Sequence, residues 1–173
     1  MSGKTLCGVL AVFLLLGSAV VGRAEVGDVP LRDNVGITQV SGGDQSNVFW
    51  KLELGNDEFR RALTRALDKV GLLERARGEG RFALSAVLEV LDQATAGFAA
   101  TARVRYTLVD TKCAKEIFQK TISAEYSTEM WDSFMNPGIG RRLAEGTVRV
   151  NTSILAEQLL GLSLFQEAVS ATQ

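Results

Sequence analysis

The chain contains no histidine. That excludes Ser-His-Asp and Cys-His nucleophile systems, and with them any histidine zinc site. Cysteine is almost as scarce. Cys7 sits at the amino terminus ahead of an apolar run, which leaves Cys113 as the one thiol beyond it. A single thiol builds neither an internal disulfide nor a thiolate cluster, so stability must come from an apolar core. In an oxidising compartment such a cysteine is either a partly buried filler or the site of an intermolecular disulfide. Past the amino terminus no stretch is apolar for long enough to span a bilayer. No basic cluster offers a nucleic-acid footprint, and there is no internal repeat or low-complexity segment. Cofactor motifs are missing as well, because Gly42-Gly43-Asp44 is too short to cradle a phosphate and reads as a turn.

What is present begins with the leader. Lys4 precedes an uncharged run from Thr5 to Gly22, followed by Arg23-Ala24-Glu25. A basic start, an apolar middle and small residues at Gly22 and Ala24 make a secretory signal peptide over 1–24, with cleavage after Ala24. An uncleaved membrane anchor is the alternative. Leu15-Leu16-Gly17-Ser18 has the shape of a lipoprotein processing site, with Ser18 where the acylated cysteine would stand. A hydroxyl cannot take the thioether-linked lipid, so the expectation is a soluble exported protein of the periplasm. Removing the leader with Lys4 and Arg23 leaves 149 residues with 17 basic and 20 acidic side chains, a net charge of −3. That length suits one domain with a real core.

Residues 25–33 read as an extended lead-in, and Val35 to Val40 as a short strand ending in the turn cluster Ser41 to Asp44. Asn56 or Asp57 is the expected cap of a first helix, with Phe59, Leu63, Ala66, Leu67 and Val70 as its apolar stripe and Gly71 as its stop. Arg65 and Lys69 fall late in it, where they complement the helix dipole. Three strands of period two follow, with Phe82 to Val90, Ala100 to Leu108 and Phe118 to Tyr126 pointing inward on alternate residues; Lys120 is the exception. Short connections make them a meander. A second helix, roughly Gly138 to Leu162, presents Ile139, Leu143, Thr147, Val150, Ile154 and Leu159 inward. Gly146 in its middle costs ~1 kcal/mol relative to alanine, which suits a close approach to a neighbour. The sequence therefore predicts an α+β two-layer sandwich over residues 34–163. Both helices lie on one face of a mainly antiparallel sheet, and residues 164–173 form a frayed tail.

Three features stand above background as binding sites. Arg141, Arg142, Glu145 and Arg149 recur at helical spacing, an exposed face with Glu145 and Arg149 oriented to pair or to meet an anionic lipid or glycan. Met130, Trp131, Phe134 and Met135 cluster in the loop before that helix, either plugging the core or forming a docking patch. Arg103 and Arg105 share the polar face of the central strand with Thr101 and Thr107. Glu89, Glu116 and Glu125 are the carboxylates on which an unrecognised acid pair would draw. Asn151-Thr152-Ser153 fits a glycosylation acceptor, but inside a predicted helix.

Phe59-Arg60-Arg61-Ala62-Leu63 with Gly71-Leu72-Leu73, Val104 to Asp110, and Arg142 to Asn151 carry a resemblance to a group of small Gram-negative envelope proteins, many of them lipoproteins. More distantly the chain resembles the lipopolysaccharide-assembly lipoprotein and the amino-terminal domain of the Tol-system propeller protein. Both are helix-covered sheets that bind envelope partners. Some relatives carry the label UDP-N-acetylglucosamine acyltransferase. Acyltransferases of that name resemble hexapeptide-repeat β-helices with a histidine base, and this chain has neither feature. The resemblance implies a non-catalytic envelope accessory protein without cofactors, acting on a partner protein or a lipid-like ligand and touching the membrane peripherally. A lipid or glycan carrier is the alternative, with a cavity between helices and sheet opened by the small residues Ala100, Ala102 and Ala124. An enzyme with an acid pair is the third reading.

Overall fold

The computed structural model describes residues 31–42, 54–75, 80–93, 98–129 and 138–170, with side chains to 164. The leader, Met130 to Pro137 and the final three residues lie outside them. Six elements follow in order: β1 (Val35–Ser41), α1 (Asn56–Lys69), β2 (Phe82–Gln93), β3 (Ala99–Asp110), β4 (Lys115–Ser127) and α2 (Ile139–Ser170). The four strands form one sheet in the order β1-β2-β3-β4, with β1 parallel to β2 and the other pairs antiparallel. This is the expected α+β sandwich with its three-strand meander. The parallel pair arises because α1 carries the chain back between β1 and β2.

Helix α1 buries Phe59, Leu63 and Leu67, one stripe at a spacing of four. Its cap is Gly55, one residue before the expected Asn56, and the Glu58 carboxylate accepts the Gly55 N–H at 3.4 Å. The stop is where the sequence places it. Gly71 takes φ +70°, its N–H reaches the Asp68 carbonyl, and the Leu72 N–H reaches the Leu67 carbonyl. These two bonds make a Schellman turn, which satisfies carbonyls that the helix end would leave open.

The alternation holds in β3, where Ala100, Ala102, Val104, Tyr106 and Leu108 are all buried. In β2 it breaks once. Leu88 faces Val104 and Val90 faces Arg103, so Glu89 is an extra, bulged residue. The bulge shifts the phase, burying Leu91 where Val90 was expected to point inward. In β4 only Ile122 and Ala124 are buried, while Phe118 is half-buried and Tyr126 exposed. This strand is the sheet edge, and Lys120 has inward parity there yet stays exposed, a charge that discourages further strand pairing.

Helix α2 differs most from expectation. It continues to Ser170, beyond the predicted end near Leu162 and into the segment expected to fray. Leu162 to Ser170 contains no glycine or proline to stop it. Its buried face is also wider. Ala144, Val148, Asn151 and Leu155 are buried, whereas Val150 and Ile154 are only half-buried. The reason is that α2 packs on β3 and β4 with one side and on α1 with the other.

Small residues set how closely α2 sits. Ala100 and Ala102 open space that α2 fills itself: the Thr147 hydroxyl bonds the Ala100 carbonyl at 3.2 Å and Asn151 Nδ2 the Ala102 carbonyl at 3.2 Å. The room those alanines leave is thus occupied by the helix rather than kept for a ligand. The same amide donates to the Ile122 carbonyl at 2.8 Å, and Asn151 Oδ1 accepts the Tyr106 hydroxyl at 2.8 Å. Both donor hydrogens and the acceptor of a wholly buried asparagine are satisfied. Burial pushes the Tyr106 hydroxyl far above the ordinary phenol range. Asn151 is therefore a helix–sheet tie, and its place in the core closes the glycosylation pattern to modification in the folded chain.

Candidate binding groove

The candidate site lies on the outside of the helix pair. Glu58, Arg61, Ala62, Arg65, Ala66 and Lys69 recur every three or four residues along α1, next to its buried stripe. From α2, Arg141, Glu145, Val148, Arg149, Thr152 and Ser153 do the same. Together with Leu54 they line an open groove of about 420 Å³. Its floor is small and apolar, with Ala62, Ala66 and Val148; its rims carry five cations against two carboxylates.

The charges are unevenly paired. Arg141 bridges both carboxylates, Glu58 on α1 and Glu145 one turn along its own helix at 2.9 Å. Glu145 was expected to pair with Arg149, and the structure corrects this. Arg141 already holds Glu58, so its guanidinium is fixed within reach of Glu145 and leaves Arg149 clear. Among the described residues Arg61 donates only to the Asp57 carbonyl, at 3.3 Å. Arg65, Lys69 and Arg149 are exposed and have no ion-pair partner among the described residues. The beginning of both helices is therefore nearly neutral and the groove beyond it is cationic.

The residues singled out from sequence are not gathered in one place. Arg149 lines the groove, while Arg142 is exposed outside its lining. Arg103 and Arg105 project from the opposite face of the sheet, where Arg105 Nε donates to Glu89 at 2.6 Å. Met130, Trp131 and Phe134 lie outside the described residues. Arg61, Arg65 and Lys69 were missed as a site. Their i, i+4, i+8 ladder was visible, but only the packing of α1 beside α2 shows that it faces Arg149.

Two other polar features are structural. Arg81 donates to Asp110 Oδ2 from Nε at 3.0 Å and from a terminal nitrogen at 2.8 Å, and the Lys112 N–H donates to Oδ1 at 2.9 Å. The Arg81 bonds above all hold the Asp110 carboxyl below its ordinary range, against the opposing effect of burial. Cys113 is exposed in the β3–β4 turn beside Ala114 at φ +52°, which overturns the buried-filler reading and leaves the intermolecular one open. Among the described residues no three His, Cys, Asp or Glu side chains are placed to hold a metal. No described helix is long and apolar enough to cross a membrane.

No protein-family model matches the chain, and no curated protein sequence does either. Solved structures do match. A PelC dodecamer from Paraburkholderia phytofirmans superposes with a TM-score of 0.53 at 12% identity, over 76% of this chain and 89% of that one. A Caulobacter crescentus protein described as a lipoprotein gives 0.51 at 11% identity, over 76% and 92%. A Xanthomonas campestris protein of the DUF330 family gives 0.51 at 15%, over 67% and 66%. At these identities the likeness is one of fold alone, shared with a protein described as a lipoprotein, with PelC and with the DUF330 protein.

Proposed function

We propose that this protein is a non-catalytic accessory protein of the cell envelope that binds an anionic ligand in the groove between α1 and α2. The observation that carries the reading is the set Arg65, Lys69 and Arg149, three exposed cations without ion-pair partners among the described residues, around a floor of Ala62, Ala66 and Val148. Surface cations are ordinarily scattered and balanced by nearby carboxylates. Here both groove carboxylates are taken up by one arginine at the far end. A concave surface with one sign of charge concentrates counter-charged ligands.

The secretory leader expected over residues 1–24 and the lipoprotein-type fold both support placement in the periplasm, at the envelope. The likeness to the lipopolysaccharide-assembly lipoprotein and the Tol propeller's amino-terminal domain supports action by binding rather than turnover. The carrier alternative loses its motive at Ala100 and Ala102, since α2 fills that space.

The test is affinity purification from the native envelope, with mass spectrometry of co-purified lipids and proteins. It compares the wild type with the triple variant Arg65→Glu, Lys69→Glu and Arg149→Glu. An anionic species retained by the wild type and lost from the variant, at equal thermal stability, is the expected result. Identical co-purification profiles would reject the groove as the site.

A further inference from the structure

The groove sets two unlike surfaces side by side. Leu54, Ala62, Ala66 and Val148 supply an apolar floor, and the cations stand at its rims. The floor is open because the seam residues of α1 are alanines. A leucine at position 62 or 66 would project into that space.

We propose that the groove takes a phosphate-headed amphiphile, with its phosphate among Arg65, Lys69 and Arg149 and its alkyl chain along the floor. The proposal rests on the binding reading given above and names its ligand class. Charge alone is a poor source of affinity here, since the rim cations are exposed and their attraction is screened by water and salt. Apolar burial has no such weakness: each fully buried methylene multiplies affinity about fourfold. Arginine suits the head group, because its planar fork matches phosphate oxygens.

The dimensions agree. Glu58 to Lys69 runs along ~16 Å of helix at ~1.5 Å per residue. The groove volume of about 420 Å³ lies within the ~300–1,000 Å³ of small-molecule sites. The near-neutral end at Arg141, Glu58 and Glu145 offers a phosphate less than the cationic end does. Charge therefore sets the direction in which the ligand lies.

Titration calorimetry with the purified protein tests this, using four probes below their micelle concentrations: dodecyl phosphate, octyl phosphate, inorganic phosphate and dodecyl maltoside. Dodecyl phosphate is expected to bind at least about tenfold tighter than each of the other three. Ala66→Leu, with an unchanged thermal midpoint, should weaken dodecyl phosphate at least about tenfold and leave inorganic phosphate unaffected. Ala62→Leu serves the same purpose if the first variant does not fold.

Equal affinity for inorganic and dodecyl phosphate would overturn the proposal in favour of a bare anion site. Equal affinity for dodecyl maltoside would overturn it in favour of a merely greasy surface, and binding of none of the four overturns it outright. Those results leave the broader reading standing or falling on whether the charge-reversed variant loses its envelope ligand.

Discussion

The ring of Tyr126 on β4 lies across the backbone of Gly146 on α2. A methyl group built on that glycine would overlap ring carbons Cδ1, Cε1 and Cγ. The contact explains a glycine in mid-helix, where alanine would gain ~1 kcal/mol of propensity. Gly146→Ala is expected to lower stability by about 1–3 kcal/mol, because the ring must leave or the helix must lift. In a Tyr126→Ala background the same change should be neutral or stabilising. A double-mutant cycle by denaturant unfolding measures the coupling, and additive effects would contradict the contact.

Asn151 joins α2 to two strands and to the Tyr106 hydroxyl, all in the core. Asn151→Ala strands the hydroxyl and two carbonyls, each a loss of about 1–3 kcal/mol if water cannot enter. We expect a drop of several kcal/mol in the unfolding free energy, larger than that of Tyr106→Phe. A fall below about 1 kcal/mol would mean that the network is not closed.

Asp110 predicts a pH dependence. Its carboxyl titrates lower in the folded chain than in the unfolded one, chiefly through the Arg81 hydrogen bonds. Between those two values the unfolded chain binds more protons, so stability rises with pH there. The contribution is complete above the ordinary carboxylate pKa of about 4 and is lost as pH falls through the folded value. Wild type should therefore exceed Asp110→Asn by about 1–3 kcal/mol between pH 6 and 8. The gap should narrow steadily below about pH 4. A gap that widens in acid would reverse the assignment.

Cys113 sits exposed in the β3–β4 turn. Its thiol should react stoichiometrically with an aromatic disulfide reagent in the folded protein, without denaturant. A thiol protected until unfolding would place it in the interior.

Arg141 ties Glu58 to Glu145 across the mouth of the groove, yet its side chain is 63% exposed. Arg141→Ala should cost less than about 1 kcal/mol of stability, since solvent screens such bridges. The change frees both carboxylates and lowers the groove's positive charge, so binding of an anionic probe should weaken while folding does not. Unfolding curves and titration of dodecyl phosphate separate the two effects.

Local patterns made most of the fold legible. The stripe at Phe59, Leu63 and Leu67 defines a helix face, and Gly71 stops that helix wherever the chain is placed. Alternation from Ala100 to Leu108 marks an inward side, because a strand's side chains must point to opposite faces. The errors are non-local. The bulge at Glu89 depends on the register between β2 and β3, and so moved burial from Val90 to Leu91. The wide buried face of α2 depends on its having two neighbours.

The binding groove shows the same division. By itself the sequence determined the absence of histidine-dependent chemistry and an amphipathic slab covered by two helices, since composition and period fix which surfaces avoid water. Which charges remain uncompensated was decided by tertiary structure alone. Arg141 reaches a carboxylate 83 residues away in sequence, while Arg65, Lys69 and Arg149 meet around one groove only because α1 and α2 lie side by side. Coulomb attraction depends on distance in space, and chain order does not supply it.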